Sequence, residues 1–117
     1  FIKPFTDFAG AFARETGRAP FALPPSWHQA KSRLSLKTPF NFCTDNDIIG
    51  GNSGSPVVNG KAQIVGLIFD GNIESLGGDY GFDPAVNRAV AVDSRAILEA
   101  LKTIYQAERV VQELKAR

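Results

Sequence analysis

Gly50-Gly51-Asn52-Ser53-Gly54-Ser55-Pro56, followed by Val57-Val58, lies between two apolar runs and decides how the rest of the chain is read. Small residues on both sides of a hydroxyl, closed by a proline, make a tight turn whose backbone can approach a ligand closely. Glycine at 51 permits a conformation in which the amides of Gly51 and Ser53 point into one small space. That arrangement holds an oxyanion while the Ser53 hydroxyl attacks the adjacent carbonyl carbon. Four residues of the type Gly-Asn-Ser-Gly are, on their own, an ordinary hairpin turn. The longer string is more specific and makes Ser53 a candidate nucleophile, with Gly51 and Ser53 as a candidate oxyanion hole.

The string resembles the Gly-Asp-Ser-Gly-Gly-Pro nucleophile turn of chymotrypsin-like serine proteases. Asn52 replaces the Asp, and Ser55 is a small residue filling a glycine position.

Bulk composition narrows the alternatives. At 117 residues, with 44% apolar and 21% charged, the chain suffices for one modest core and at most one domain. A net charge of +1 with scattered basic residues gives neither a nucleic-acid groove nor a polybasic membrane patch. No apolar run approaches the roughly 20 residues that span a bilayer. Cys43 is the single cysteine and cannot form an internal disulfide. No His or Cys pair has metal-ligand spacing, so neither a metal nor another cofactor is expected. The acids at 45, 47, 70, 79 and 83 lack the alternation and closing Glu of a calcium loop. There is no methionine, and the opening Phe1-Ile2-Lys3-Pro4 is not signal-like, so a piece of something longer is expected.

Three stretches follow from local patterning. Residues 1–37 read as an extended and short-helical lead-in. Thr6 caps a first helix, Phe8 and Phe12 share its face, and Gly17 stops it. A second short helix runs from Ser26 to about Leu34, with Trp27 as a core anchor. Residues 38–93 read as strands and turns that, by the resemblance to chymotrypsin-like proteases, would form a β-barrel half. It comprises a strand over 38–44, an acidic loop, the glycine turn, and a strand over 55–58. Asn59-Gly60 signals a two-residue hairpin into a return strand over 62–69. A glycine-rich loop over 70–86 and a strand over 87–92 complete it. Residues 94–117 read as one C-terminal helix, capped by Asp93-Ser94, with Ile97, Leu98, Leu101, Ile104 and Tyr105 at helical spacing. The fold class is therefore mainly β with a C-terminal helix.

A serine nucleophile needs a base, and the base an orienting carboxylate. His28 is the only histidine. It precedes Ser53 too closely and sits on a short helix, so it reads as an ordinary exposed residue. The base and its acid are expected in sequence upstream of this segment.

Thr44 to Pro56, with Gly-Leu-Ile-Phe-Asp-Gly-Asn-Ile-Glu-Ser at 66–75 and Gly77 to Asp83, is similar to one group of enzymes. These are the bacterial dipeptidyl peptidases of the dipeptidyl-peptidase 7 and 11 type, including dipeptidyl aminopeptidase BII. The strand 87–93 and Pro-Phe-Ala-Leu-Pro-Pro-Ser-Trp at 20–27 extend the likeness over nearly the whole chain. The resemblance implies a periplasmic or cell-surface homodimeric exopeptidase with a double β-barrel and an inserted helical domain. The present chain would supply the later part of its second barrel. Substrates are then peptides, cut two residues from a free N-terminus. Ser53 matches the nucleophile, and Gly51 and Ser53 the oxyanion hole. Asp70 matches the carboxylate that holds the substrate α-ammonium. Gly71 matches the position that carries arginine in the acid-specific type, so an uncharged P1 pocket and apolar P1 residues are expected here.

Two rival readings remain at this stage. Asp47, six residues before Ser53, has the offset of the acid that selects Lys or Arg in trypsin-like and heat-shock-protease-like endopeptidases. A non-catalytic peptide-binding domain, with Ser53 incidental, is the other. Half a barrel alone would leave strand edges unpaired and prone to association.

Overall fold

In the central strand of the sheet the sequence Ala-Val-Ala-Val-Asp alternates small and branched residues, burying Ala89, Ala91 and Asp93 on one face. The computed structural model describes residues 4–116; Phe1-Ile2-Lys3 and Arg117, the outer ends of the lead-in and of the expected terminal helix, lie outside them. Five strands form one antiparallel sheet: β1 (Phe5–Asp7), β2 (Pro39–Thr44), β3 (Pro56–Val58), β4 (Ile64–Gly71) and β5 (Ala89–Asp93). Their order is β1-β2-β5-β4-β3, with β5 between the two longest strands.

Alanine at 89 and 91 leaves room for larger neighbours to close over the sheet. Phe42 from β2 and Ile68 from β4 do so, and Ile48, Val57 and Val65 pack against them. The Phe42 ring lies directly over Gly66, where an added Cβ would come 2.6 Å from both the ring edge and the Val92 carbonyl.

Helices precede and follow the sheet: α1 (Phe8–Ala13), α2 (Pro25–Ala30), α3 (Ser94–Glu99) and α4 (Glu108–Lys115). The Trp27 ring packs tilted against Phe8 and edge-on to Phe40, with centroids 5.6 Å and 5.7 Å away, the anchoring contact expected of it. Ala30, Leu34 and Ile104 form a second buried cluster that joins α2 to the C-terminal helices.

Three local expectations are corrected. The lead-in adds the edge strand β1, and the α1 cap is Asp7, whose Oδ1 accepts from the Gly10 amide at 2.8 Å. Thr6 instead accepts from the Asn41 amide, tying β1 to β2. The hairpin after β3 is not closed by a two-residue Asn59-Gly60 turn. Asn59 Oδ1 gathers the amides of Lys61 and Gln63, and Ala62 takes the left-handed conformation at φ 60°. The C-terminal helix is in two pieces. A wide turn over Ala100–Ile104 and a left-handed Gln106 (φ 52°) separate α3 from α4, with no glycine or proline in the sequence to announce the break.

Candidate active site

The glycine turn is built by its own backbone. Gly51 and Gly54 take φ values of 100° and 87°, which side-chain-bearing residues rarely adopt. Asn52 Oδ1 accepts from the Ile49 amide at 2.8 Å, and the Asn52 amide donates back to the Ile49 carbonyl at 3.1 Å. The Ser55 amide donates to the Asn52 carbonyl, and the Gly54 amide to the Ile68 carbonyl. Amides 52, 54 and 55 are thus used to fold and seat the turn. Those of Gly51 and Ser53 donate to no acceptor among the described residues. Ser53 itself is exposed.

β4 forms the opposite wall. Ile68 pairs with Ala91 but Asp70 with Val90, so Phe69 is a bulge and the alternation shifts by one residue. Gly71, opposite Ala89, therefore falls on the face of Ile68, while Asp70 does not. The exposed Asp70 accepts from the Gly71 amide at 2.8 Å through Oδ1. Ser53, Gly51, Asp70 and Gly71 line one cleft of about 280 Å³, together with Ile48 and Ile68. All four positions singled out from the sequence meet there.

Other residues separate from it. Asp47 is absent from this cleft and lines a neighbouring hollow with Pro56, Val57 and Val58. His28 is on α2, where its Nε2 lies 2.8 Å from Glu15 Oε1. The Leu23 amide and then His28 hold the Glu15 carboxyl below its ordinary range, against an upward push from burial. Neither residue lines the cleft.

Sequence reasoning missed Ser75, Leu76 and Asp79, which come up from a short helical turn (Ile73–Gly77) and the loop after it to close the cleft. No local pattern marks them: Ile73 and Leu76 are exposed apolar residues in a glycine-rich loop that also exposes Tyr80, Phe82 and Val86. Among the described residues no three His, Cys, Asp or Glu are grouped to hold a metal, and no helix is long and apolar enough to cross a membrane.

The family model for peptidase S46 matches residues 1–116. This chain belongs to the peptidase S46 family. Among curated members of that family's kind, dipeptidyl-peptidase 7 of Phocaeicola vulgatus is 46% identical over 96% of this chain and 17% of its own length. The enzyme of the same name from Capnocytophaga gingivalis is 51% identical over 62% of the chain and 10% of its own length. An Asp/Glu-specific dipeptidyl-peptidase of Shewanella putrefaciens is 32% identical over 96% of the chain and 19% of its length. The crystal structure of Porphyromonas endodontalis DPP11 with the dipeptide Arg-Glu superposes with a TM-score of 0.87 at 27% identity. It covers 97% of this chain and 18% of that one. The S46 chain described here thus spans less than a fifth of the length of these relatives.

Proposed function

We propose that this chain is the C-terminal segment of a serine dipeptidyl aminopeptidase that prefers apolar P1 residues. The observation that carries the reading is the single cleft in which the Ser53 turn faces Asp70 and Gly71. Ser53 Oγ attacks the carbonyl carbon of the second substrate residue, passing its proton to a histidine supplied from upstream sequence and oriented by an upstream aspartate. The amides of Gly51 and Ser53 hold the oxyanion, the amine leaves, and water hydrolyses the dipeptidyl ester. Asp70 pairs with the substrate α-ammonium. The Gly54–Ile68 hydrogen bond seats the turn on the strand that carries Asp70 and Gly71. Gly71, Ile48 and Ile68 line the cleft with no cation beside them, among the described residues, to pair with an acidic P1 residue, which supports the apolar preference.

The sheet then belongs to the second barrel of a chymotrypsin-like double β-barrel. The full-length enzyme is a homodimer acting in the periplasm or at the cell surface. The position of Asp47 outside the cleft argues against a trypsin-like endopeptidase. Hydrolysis of matched free and N-acetylated peptides by the full-length protein tests the proposal. Release of dipeptides from the free peptide alone is the expected result. Equal cleavage of the acetylated peptide overturns the exopeptidase assignment.

A further inference from the structure

Gly71 is not one of the glycines in the left-handed region. Its backbone tolerates a side chain, so the constraint is space. An ideal Cβ at 71 would collide with Ser75 Oγ and stand 3.2 Å from Ser75 Cβ and 3.3 Å from Ile48 Cδ1. The Ser75 hydroxyl is not a loose end. It donates to the Asn72 carbonyl at 2.6 Å, which also receives the Ser75 amide at 3.0 Å. Asn72 is itself pinned to the start of β5. Its amide donates to the Arg88 carbonyl at 3.0 Å, its Oδ1 accepts from the Arg88 amide at 2.8 Å, and its Nδ2 donates to the Val86 carbonyl at 2.7 Å.

From this we infer that Ser75 is a second specificity-determining residue, coupled to position 71. The inference rests on the proposed assignment of Gly71 to the P1 pocket. Ser75 occupies the volume that a residue-71 side chain would need, and its proton is committed to Asn72. The oxygen that lines the cleft therefore offers lone pairs only. Asp79 lines the same cleft. A carboxylate at P1 would meet an acceptor and a neighbouring acid, whereas an apolar side chain meets neither penalty. Turning Ser75 aside breaks its bond to Asn72 and still leaves its Cβ in tight contact. Residue 71 is thus replaceable only together with residue 75.

Five variants of the full-length protein test this: Gly71→Ala, Ser75→Gly, the pair combined, and Gly71→Arg with and without Ser75→Gly. Thermal unfolding and kcat/KM for matched dipeptidyl substrates with Phe, Leu or Asp at P1 are the readouts. Gly71→Ala alone should lower the melting temperature and cut kcat/KM for Phe at P1 by roughly tenfold. Adding Ser75→Gly should restore most of both. Gly71→Arg alone should lose apolar-P1 cleavage without gaining Asp cleavage, and Gly71→Arg with Ser75→Gly should raise the Asp-to-Phe ratio at least about tenfold over the single change. A Gly71→Arg enzyme that cleaves after Asp without any change at 75 overturns the inference while leaving the P1 assignment intact. Coupled unfolding with a P1 ratio that never moves overturns the P1 assignment itself, and the specificity role with it.

Discussion

The Gly54 amide donates to the Ile68 carbonyl at 2.7 Å, and this bond seats the turn that carries Ser53 against the strand that carries Asp70. The return bond, from the Ile68 amide to the Ser55 carbonyl at 2.9 Å, makes the contact a two-point seat for the turn. Because Phe69 is bulged, the strand that anchors Ser53 through Ile68 presents Asp70 on its other face two residues later.

Asp70→Asn isolates the charge from the geometry. The amide oxygen of Asn can still accept from the Gly71 amide, as Asp70 Oδ1 does. Hydrogen bonds to charged groups contribute about 1.5–3 kcal/mol, so kcat/KM for free-N-terminus substrates should fall by roughly 10- to 100-fold. Asp70 is exposed, so unfolding stability should change little. Steady-state kinetics of the full-length variant check this; an unchanged kcat/KM would remove Asp70 from substrate binding.

Much of the site was legible because turn chemistry and spacing are local. Gly51 and Gly54 announce a backbone that needs positive φ, and both take it. The strands over 39–44 and 89–93 were legible from alternation. β1 was not, since three residues carry no period and its pairing with β2 spans more than thirty residues of sequence. Nor was the break at Gln106, where tertiary packing of Ile104 into the second cluster overrides a continuous apolar stripe. Ser75 and Leu76 were hidden for a different reason: their role depends on how the loop folds back over Gly71, which no periodicity encodes.

Gly66→Ala tests the sheet's tightest contact. A Cβ at 66 would come 2.6 Å from the Val92 carbonyl, which is backbone and cannot step aside, and 2.6 Å from the buried Phe42 ring. Overpacking of this kind costs about 1–3 kcal/mol, and the rigid partner places this variant at the upper end. Denaturant titration should show the midpoint shift without a change in m.

Asp93 ends β5 and caps α3, accepting from the Arg95 amide and from its guanidinium at 2.7–2.9 Å. Burial pushes its pKa up, but the bonds and charge of Arg95 more than offset this and hold it below the ordinary carboxylate value. The depressed folded pKa means the stabilisation is complete above the unfolded value of about 3.9 and is lost as pH falls through the folded one. Stability of the wild type should therefore decline more steeply below about pH 4 than that of Asp93→Asn. At neutral pH the variant, which keeps a capping oxygen, should be weaker by roughly 1 kcal/mol. Parallel pH titrations of the denaturation midpoint measure both.

The last prediction concerns the 117 residues in isolation. Their one histidine is engaged with Glu15 at the α1–α2 corner and does not line the cleft that holds Ser53. The described side chains of the cleft include the carboxylates Asp70 and Asp79 but no imidazole to take the serine proton. A serine without its base retains only what oxyanion binding supplies, about 10³- to 10⁴-fold over water in a complete protease. Purified as this segment alone, the chain should show no measurable turnover of a free dipeptidyl substrate, and Ser53→Ala should change nothing. The same substitution in full-length protein should cost at least about 10³-fold in kcat. Turnover by the segment that disappears with Ser53→Ala would mean that the base lies within these residues, and would overturn the assignment of histidine and aspartate to upstream sequence.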